Sequence, residues 1–266
     1  MGCSLRLPPV PSLAPPAWLA DRFECFERPS RLAERVAELL EQELTAAPAR
    51  PLGLATGRTM EPVYDALVKR LLALSPQRLK ALQVGWRSFN LDEYIGLGPT
   101  DSGSFALEMS RQLVRPLGLE PGCVRLPDGL AEDPSAEASR YAAAVRAAGG
   151  IGLQLLGLGS NGHVGFNEPP CGPEAPCRSV ELSAATRSHN AVAFAGNPSR
   201  VPAGAITLGL EQILGAERIL LVVSGSAKAG ILARLLREPP GPSLPASWLQ
   251  GHPGLHLIVD RAALGG

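Results

Sequence analysis

From residue 30 onward, apolar positions recur in two alternating rhythms, and their alternation predicts an architecture before any single residue is weighed. SRLAERVAELLEQELTAA (30–47) spaces its apolar residues three and four apart, as one buried face of a helix requires. PLGLAT (51–56) is a short continuous apolar run, which reads as a strand buried on both sides. Helical spacing returns in TMEPVYDALVKRLLAL (59–74), SGSFALEMSRQLVRPL (102–117), AEDPSAEASRYAAAVRAAG (131–149) and SAKAGILARLLRE (226–238). Between these, ALQVGWRSFNLDEY (81–94), IGLQLLGLG (151–159), RILLVVSG (218–225) and LHLIVD (255–260) read as strands. Apolar strands separated by amphipathic helices imply an α/β fold, a mainly parallel sheet with helices on both faces. No shift in composition divides residues 29–266, which read as one domain. The Pro-rich residues 1–28 read as an extended N-terminal segment.

Charge narrows the ligand class. The 266 residues carry 25 acidic and 25 basic side chains, so no global field draws the chain to nucleic acid or to an anionic membrane surface. No stretch approaches the roughly 20 apolar residues that span a bilayer, and residues 1–28 lack the basic start and apolar run of a secretion signal. Met1, Gly2 and Cys3 open like an acylation signal, but Arg6 stands where Ser or Thr is required. A cytoplasmic protein with a small-molecule ligand is expected. Five cysteines (Cys3, Cys25, Cys123, Cys171 and Cys177) with no CxxC pair point to reduced thiols and to no metal site. Cys171 and Cys177 flank a Pro/Gly loop and are the pair that oxidation would join.

In open parallel sheets ligands bind beyond the carboxyl ends of the strands, so the residues after each apolar run carry the chemistry. GLGSNG (157–162) spells the glycine pattern of a dinucleotide loop, yet Gly165, Pro169 and Pro170 oppose the helix that would have to begin there. The glycines are better used to bring backbone close to a ligand and to aim His163. His163 and Glu168 read either as a base with its orienting acid or as caps of the loop. Asp92 and Glu93 read either as a carboxylate base whose proton is held to higher pH, or as a helix cap or solvated strand end. Thr56, Gly57, Arg58 and Thr59 link a strand to a helix, an arrangement whose free N–H groups suit a single phosphate. SGSAK repeats that arrangement with Lys228, and Arg187 offers a two-point grip on an anion. Together these features point to a phosphorylated small molecule.

GLATGRT, FNLDEYIGL, GLGSNGHVGFNEP, VPAGAITLGLEQILGAERILLVVSGSAKAGIL and WLQGHP, in that order over residues 30–262, resemble the glucosamine-6-phosphate deaminase family. FNLDEY with GHVGFNEP is the specific part. The related 6-phosphogluconolactonases continue from GH into a Thr-Ala-Ser stretch. The resemblance implies a modified Rossmann-like fold of the ribose-5-phosphate isomerase and CoA transferase kind. It also implies cofactor-free conversion of glucosamine 6-phosphate and water to fructose 6-phosphate and ammonia. By the same resemblance Asp92 moves the proton from carbon 2 to carbon 1, and His163 opens the sugar ring with support from Glu168. Thr56 to Thr59, Arg187 and Lys228 hold the phosphate.

Three departures bear on this. Asn161 stands where many members carry Asp, leaving the proton work to His163 and Glu168. Arg58 and Met60 replace a small residue and a proline in the phosphate loop. EPPCGPEAPCRSVEL (168–182) is unlike the serine and basic-rich stretch with which hexameric members bind an activator, so no such activation is expected. A lactonase-like hydrolase and a catalytically silent sugar-phosphate sensor are the alternatives. Oligomeric state and the choice between gluco and galacto substrates stay open.

Overall fold

The computed structural model describes residues 16–46 and 50–266. Ten strands lie among these residues: β1 (Phe23–Phe26), β2 (Leu52–Leu54), β3 (Ser88–Asn90), β4 (Asp92–Tyr94), β5 (Val124–Arg125), β6 (Leu153–Gly157), β7 (Arg178–Glu181), β8 (Gly204–Thr207), β9 (Arg218–Val223) and β10 (Leu255–Asp260). Seven form one sheet in the order β1-β10-β9-β6-β2-β3-β5. Every pairing in it is parallel, as the continuous apolar runs require. From β2 the chain steps outward to β3 and β5, then returns to β6 and steps the other way to β9 and β10. Right-handed crossovers running in opposite directions put their helices on opposite faces. The step between β2 and β6 is the switch point, with a crevice beyond their carboxyl ends.

The helices follow the spacing that predicts them. Pro29–Thr45 starts with proline in its first turn and buries Leu32, Ala33, Val36, Ala37 and Leu40, one face at intervals of three and four. Ala229–Arg237 buries Ile231, Leu232, Leu235 and Leu236 in the same way. In Pro134–Ala147 the Asp133 carboxylate caps the helix by accepting from the Ser135 and Ala136 N–H groups. No helix among the described residues is long and apolar enough to cross a membrane.

Two parts of the sequence reading are corrected. The extended N-terminal segment is not separate throughout: Ala17–Arg22 is a short helix, and β1 pairs with β10 at the sheet edge. Four residues are too few to display a period between flanking prolines. Residues 1–15, with Met1, Gly2, Cys3 and Arg6, lie outside the described residues.

The second correction concerns ALQVGWRSFNLDEY, which is three elements instead of one strand. Ser75 caps a helix over Pro76–Gly85, and Leu79 and Leu82 continue its helical spacing through the first part of the run. β3 follows, and Leu91 then hands the chain to a second sheet: its N–H donates to the Leu54 carbonyl of the large sheet, and its carbonyl accepts from Leu208 N–H. That second sheet, in the order β4-β8-β7, is antiparallel and lies outside the predicted pattern.

Candidate active site

The two loops flanking the switch point are Ala55–Met60 after β2 and Leu158–Asn167 after β6, so topology alone puts TGRT beside GSNGH. No helix follows Gly162. The chain instead makes a tight bridge between Val164 and Asn167. Asn167 is fully buried and donates to the carbonyls of Val164 and Leu208, while Phe166 N–H donates to Thr207 Oγ1 at 3.2 Å. Thr207 lies opposite Asp92 in the β4–β8 register. The loop after β6 is thereby fastened across the start of β4. Gly165 has φ +56, which favours glycine, and a Cβ built there would lie 3.1 Å from Thr207 Oγ1 and 3.4 Å from Asp92 Oδ2, so the His163 loop runs directly against that carboxylate.

Within the loop, three side chains form a line. His163 Nδ1 lies 2.6 Å from Asn161 Oδ1, and Asn161 Nδ2 donates to Glu168 Oε1 at 3.1 Å. Because the Asn161 amide donates to a carboxylate, its oxygen is the end facing the imidazole and takes the Nδ1 proton. His163 is therefore held with Nδ1 protonated and Nε2 bare. Burial drives its pKa down to about 4, opposed by Glu168 and reinforced by Lys228 and His189, so the ring is neutral at physiological pH. Gly159 lies against the ring: a Cβ there would meet it at 2.3 Å, so no other residue fits without moving the imidazole. Glu168 also accepts from Ser183 N–H at 3.0 Å, Ser183 Oγ at 2.8 Å and Thr186 Oγ1 at 2.5 Å. Burial pushes its carboxyl up, but the bonds from Thr186, Ser183 and Asn161 outweigh that and hold it below the usual value.

Asn161 thus stands between histidine and acid, a role the departure from Asp did not suggest. Asn161→Ala unlinks the imidazole from Glu168 and frees both tautomers. A loss of about tenfold in kcat is expected, the cost of one misoriented catalytic hydrogen bond. Steady-state kinetics with matched circular dichroism checks it.

Asp92 and Glu93 divide between them the two readings that the sequence left open. As neighbours on a strand they point to opposite sides. Glu93 turns away and accepts from the N–H groups of Tyr94, Phe105 and Ala106 at 2.9, 3.0 and 2.8 Å, capping the helix Phe105–Met109. Asp92, only 6 % exposed, faces the His163 loop. Burial raises its pKa well above the ordinary value, and the charges of Glu93 and Glu108 raise it further. A small apolar cluster clamps β4 to the Phe105 helix and to the end of the His163 loop. The Tyr94 ring lies 4.7 Å from Phe105 and 5.6 Å from Phe166 and Phe194.

The basic residues gather on the other side of His163. Lys228, at the start of the helix after β9, is pulled below its ordinary pKa by burial and by the charge of Arg58. His189 is lowered by burial and by both Lys228 and Arg58. His189 is the residue the sequence reading missed. It lies three positions past Thr186 on one helical turn, the face that reaches Glu168. Only its place beside Arg187 in TRSHN marks it. Two expected phosphate donors are otherwise engaged: Gly57 N–H donates to Glu108 Oε1 at 3.0 Å, and Arg187 donates from Nε and Nη2 to the carbonyls of Val201 and Pro198. The far loop is anchored by buried Asp260, which accepts from Ser224 Oγ and Gly225 N–H. Among the described residues no group of three or more His, Cys, Asp and Glu side chains is placed to hold a metal ion. Cys25, Cys123, Cys171 and Cys177 are free thiols.

This geometry has known counterparts. A protein of Rhodopirellula baltica named glucosamine-6-phosphate deaminase is 40% identical over 229 residues, covering 86% of this chain and 89% of its own. A solved structure described as a monomeric glucosamine-6-phosphate deaminase superposes with a TM-score of 0.83 at 32% identity, covering 91% of this chain and 98% of that one. A 6-phosphogluconolactonase from Trypanosoma cruzi shares the fold, with a TM-score of 0.69 at 18% identity over 91% of this chain and 95% of its own. The profile of one family matches residues 27–257, a span that holds the loops after β2 and β6 as well as Asp92 and Lys228, and the chain accordingly belongs to the glucosamine-6-phosphate isomerase/6-phosphogluconolactonase family.

Proposed function

We propose that the protein is a cytoplasmic glucosamine-6-phosphate deaminase, converting glucosamine 6-phosphate and water to fructose 6-phosphate and ammonia. The observation that carries this reading is the pairing of unlike groups across one crevice. A buried carboxylate with raised proton affinity, Asp92, flanks the loop that holds a neutral imidazole with one bare nitrogen, His163. The two groups suit the two proton transfers of the reaction. Ring opening needs a base that takes the proton of the carbon 1 hydroxyl and returns it to the ring oxygen, and His163 Nε2 serves for both. Opening exposes an aldehyde, which acidifies the proton on carbon 2. Asp92 moves that proton to carbon 1 through an enolamine, and the resulting carbon 2 imine is hydrolysed by water to the ketose and ammonia. Asn161 and Glu168 keep the imidazole in its working tautomer.

The phosphate is held among Arg58, Arg187, Lys228 and the Thr56–Thr59 loop, with His189 as a further donor; the bonds of Arg187 to the Val201 and Pro198 carbonyls use Nε and Nη2 and fix its guanidinium in place. Relatives at about 40% identity over most of the chain carry the deaminase name, whereas the lactonases share the fold alone. The experiment that tests the reading supplies purified protein with glucosamine 6-phosphate, galactosamine 6-phosphate and 6-phosphogluconolactone in parallel. Equal release of ammonia and fructose 6-phosphate from the first is expected. Consumption of the lactone alone sinks it.

Kinetics are expected to be hyperbolic and unchanged by N-acetylglucosamine 6-phosphate, because Arg178, in β7 beyond the Pro-rich loop, is already bound to Asn167 Oδ1 at 2.8 Å. A sigmoidal rate curve relieved by that effector would overturn this.

A further inference from the structure

Glu108 is a half-buried carboxylate that the reaction above does not use. It lies on the helix Phe105–Met109, directly before the chain widens into a π-helical turn over Ser110–Val114. Such turns recur at functional sites. The start of this helix is bolted to β4 by Glu93, and Glu108, one turn past Phe105, reaches the loop after β2. There its Oε1 accepts from Gly57 N–H at 3.0 Å and from Gln112 Nε2 at 3.3 Å. No salt bridge among the described residues engages it. The charges that face it are of its own sign: Glu61 from the helix after the Gly57 loop, and Asp92 and Glu93 from β4. Tyr64 and Tyr94 complete its titratable surroundings.

An anionic oxygen on a glycine N–H of a strand-to-helix loop occupies the place a phosphoryl oxygen takes in such loops. We propose that Glu108 is a positioning residue of the sugar-phosphate site: its carboxylate holds the Gly57 N–H as an internal stand-in for phosphate and yields that donor when the substrate's phosphate arrives. The unoccupied loop is thus kept in shape, and anion binding is made competitive with an internal anion. Affinity for phosphate is set lower than the donors alone would give. This inference rests on the reading of Thr56–Thr59 as the phosphate loop.

The two replacements of Glu108 act in opposite directions. Glu108→Gln keeps an acceptor for Gly57 N–H and removes the competing charge, so KM for glucosamine 6-phosphate and Ki for inorganic phosphate both fall about fivefold, the scale of one screened like-charge contact. Glu108→Ala removes the acceptor and loosens the loop, so KM rises. A merely structural Glu108 would give losses with both variants, or no change with Gln, and either result overturns the proposal. Lys228→Ala with the same phosphate titration separates this from the underlying reading. If Lys228→Ala leaves KM and Ki unchanged, the phosphate site itself is misassigned and the proposal fails with it. If Lys228→Ala raises both and Glu108→Gln leaves Ki untouched, only the role of Glu108 is refuted.

Discussion

Asp92→Asn is expected to lose about 10³-fold or more in kcat while retaining substrate binding, because the amide keeps the shape of the carboxylate and removes the base. The variant should also fail to exchange the carbon 2 proton of the substrate with deuterium from solvent. Loss of turnover with exchange intact would assign proton abstraction to another group. The acid limb of the wild-type pH profile follows from the same burial. Asp92 must be ionised to act, so kcat/KM falls as pH drops through its raised pKa.

Stability moves the other way. Asp92 is harder to ionise in the folded protein than in the unfolded chain, so its ionisation destabilises the fold progressively as pH rises above about 4, the ordinary Asp value. Asn carries no such charge. Asp92→Asn should therefore melt higher than wild type at pH 7, with the gap closing as pH falls to about 4. A lower melting temperature at pH 7 would contradict the burial argument. Function here requires a buried charge that the fold alone would not keep.

His163→Ala is expected to reduce kcat about 10²- to 10³-fold, less than Asp92→Asn, because a sugar phosphate opens slowly without help and the variant can draw on that open form. In the wild type the imidazole should show no titration by NMR between pH 5 and 8, since its pKa is pushed down to about 4. Its protonation would remove the bare nitrogen, so activity lost through His163 appears only as pH falls through that value. The Asp92 carboxyl is raised and His163 is lowered, so the carboxylate sets the acid limb. An imidazole midpoint near 6.5 would sink this assignment and place His163 in a wetter site than the structure gives it.

How much of this was legible follows from the physics of each element. The parallel sheet and its amphipathic helices are local patterns, since a buried strand and a one-faced helix each need their own spacing of apolar residues whatever surrounds them. Edge strand β1 escaped because four residues carry no period. β4 escaped because it follows β3 after Leu91 alone, with no turn residue between them, and only the hydrogen bonds of Leu91 to both sheets show the change of partner.

The chemistry divides along the same line. That a carboxylate and a histidine stand at strand ends, near glycines and cations, is readable from residue order, because in a parallel sheet all carboxyl ends share one side. Which of Asp92 and Glu93 faces the crevice is not readable, since it depends on the partner strand β8 and on the helix that needs a cap. The sequence by itself determined the fold class and the family and named candidate reactive residues at the strand ends, because local periodicity and short motifs encode them. Only the tertiary structure decided that Asn161 links His163 to Glu168, that His189 joins the basic cluster, and that Glu108 holds the Gly57 N–H. Those contacts join residues whose positions are fixed by packing between elements, and burial there also sets which of them carry a proton.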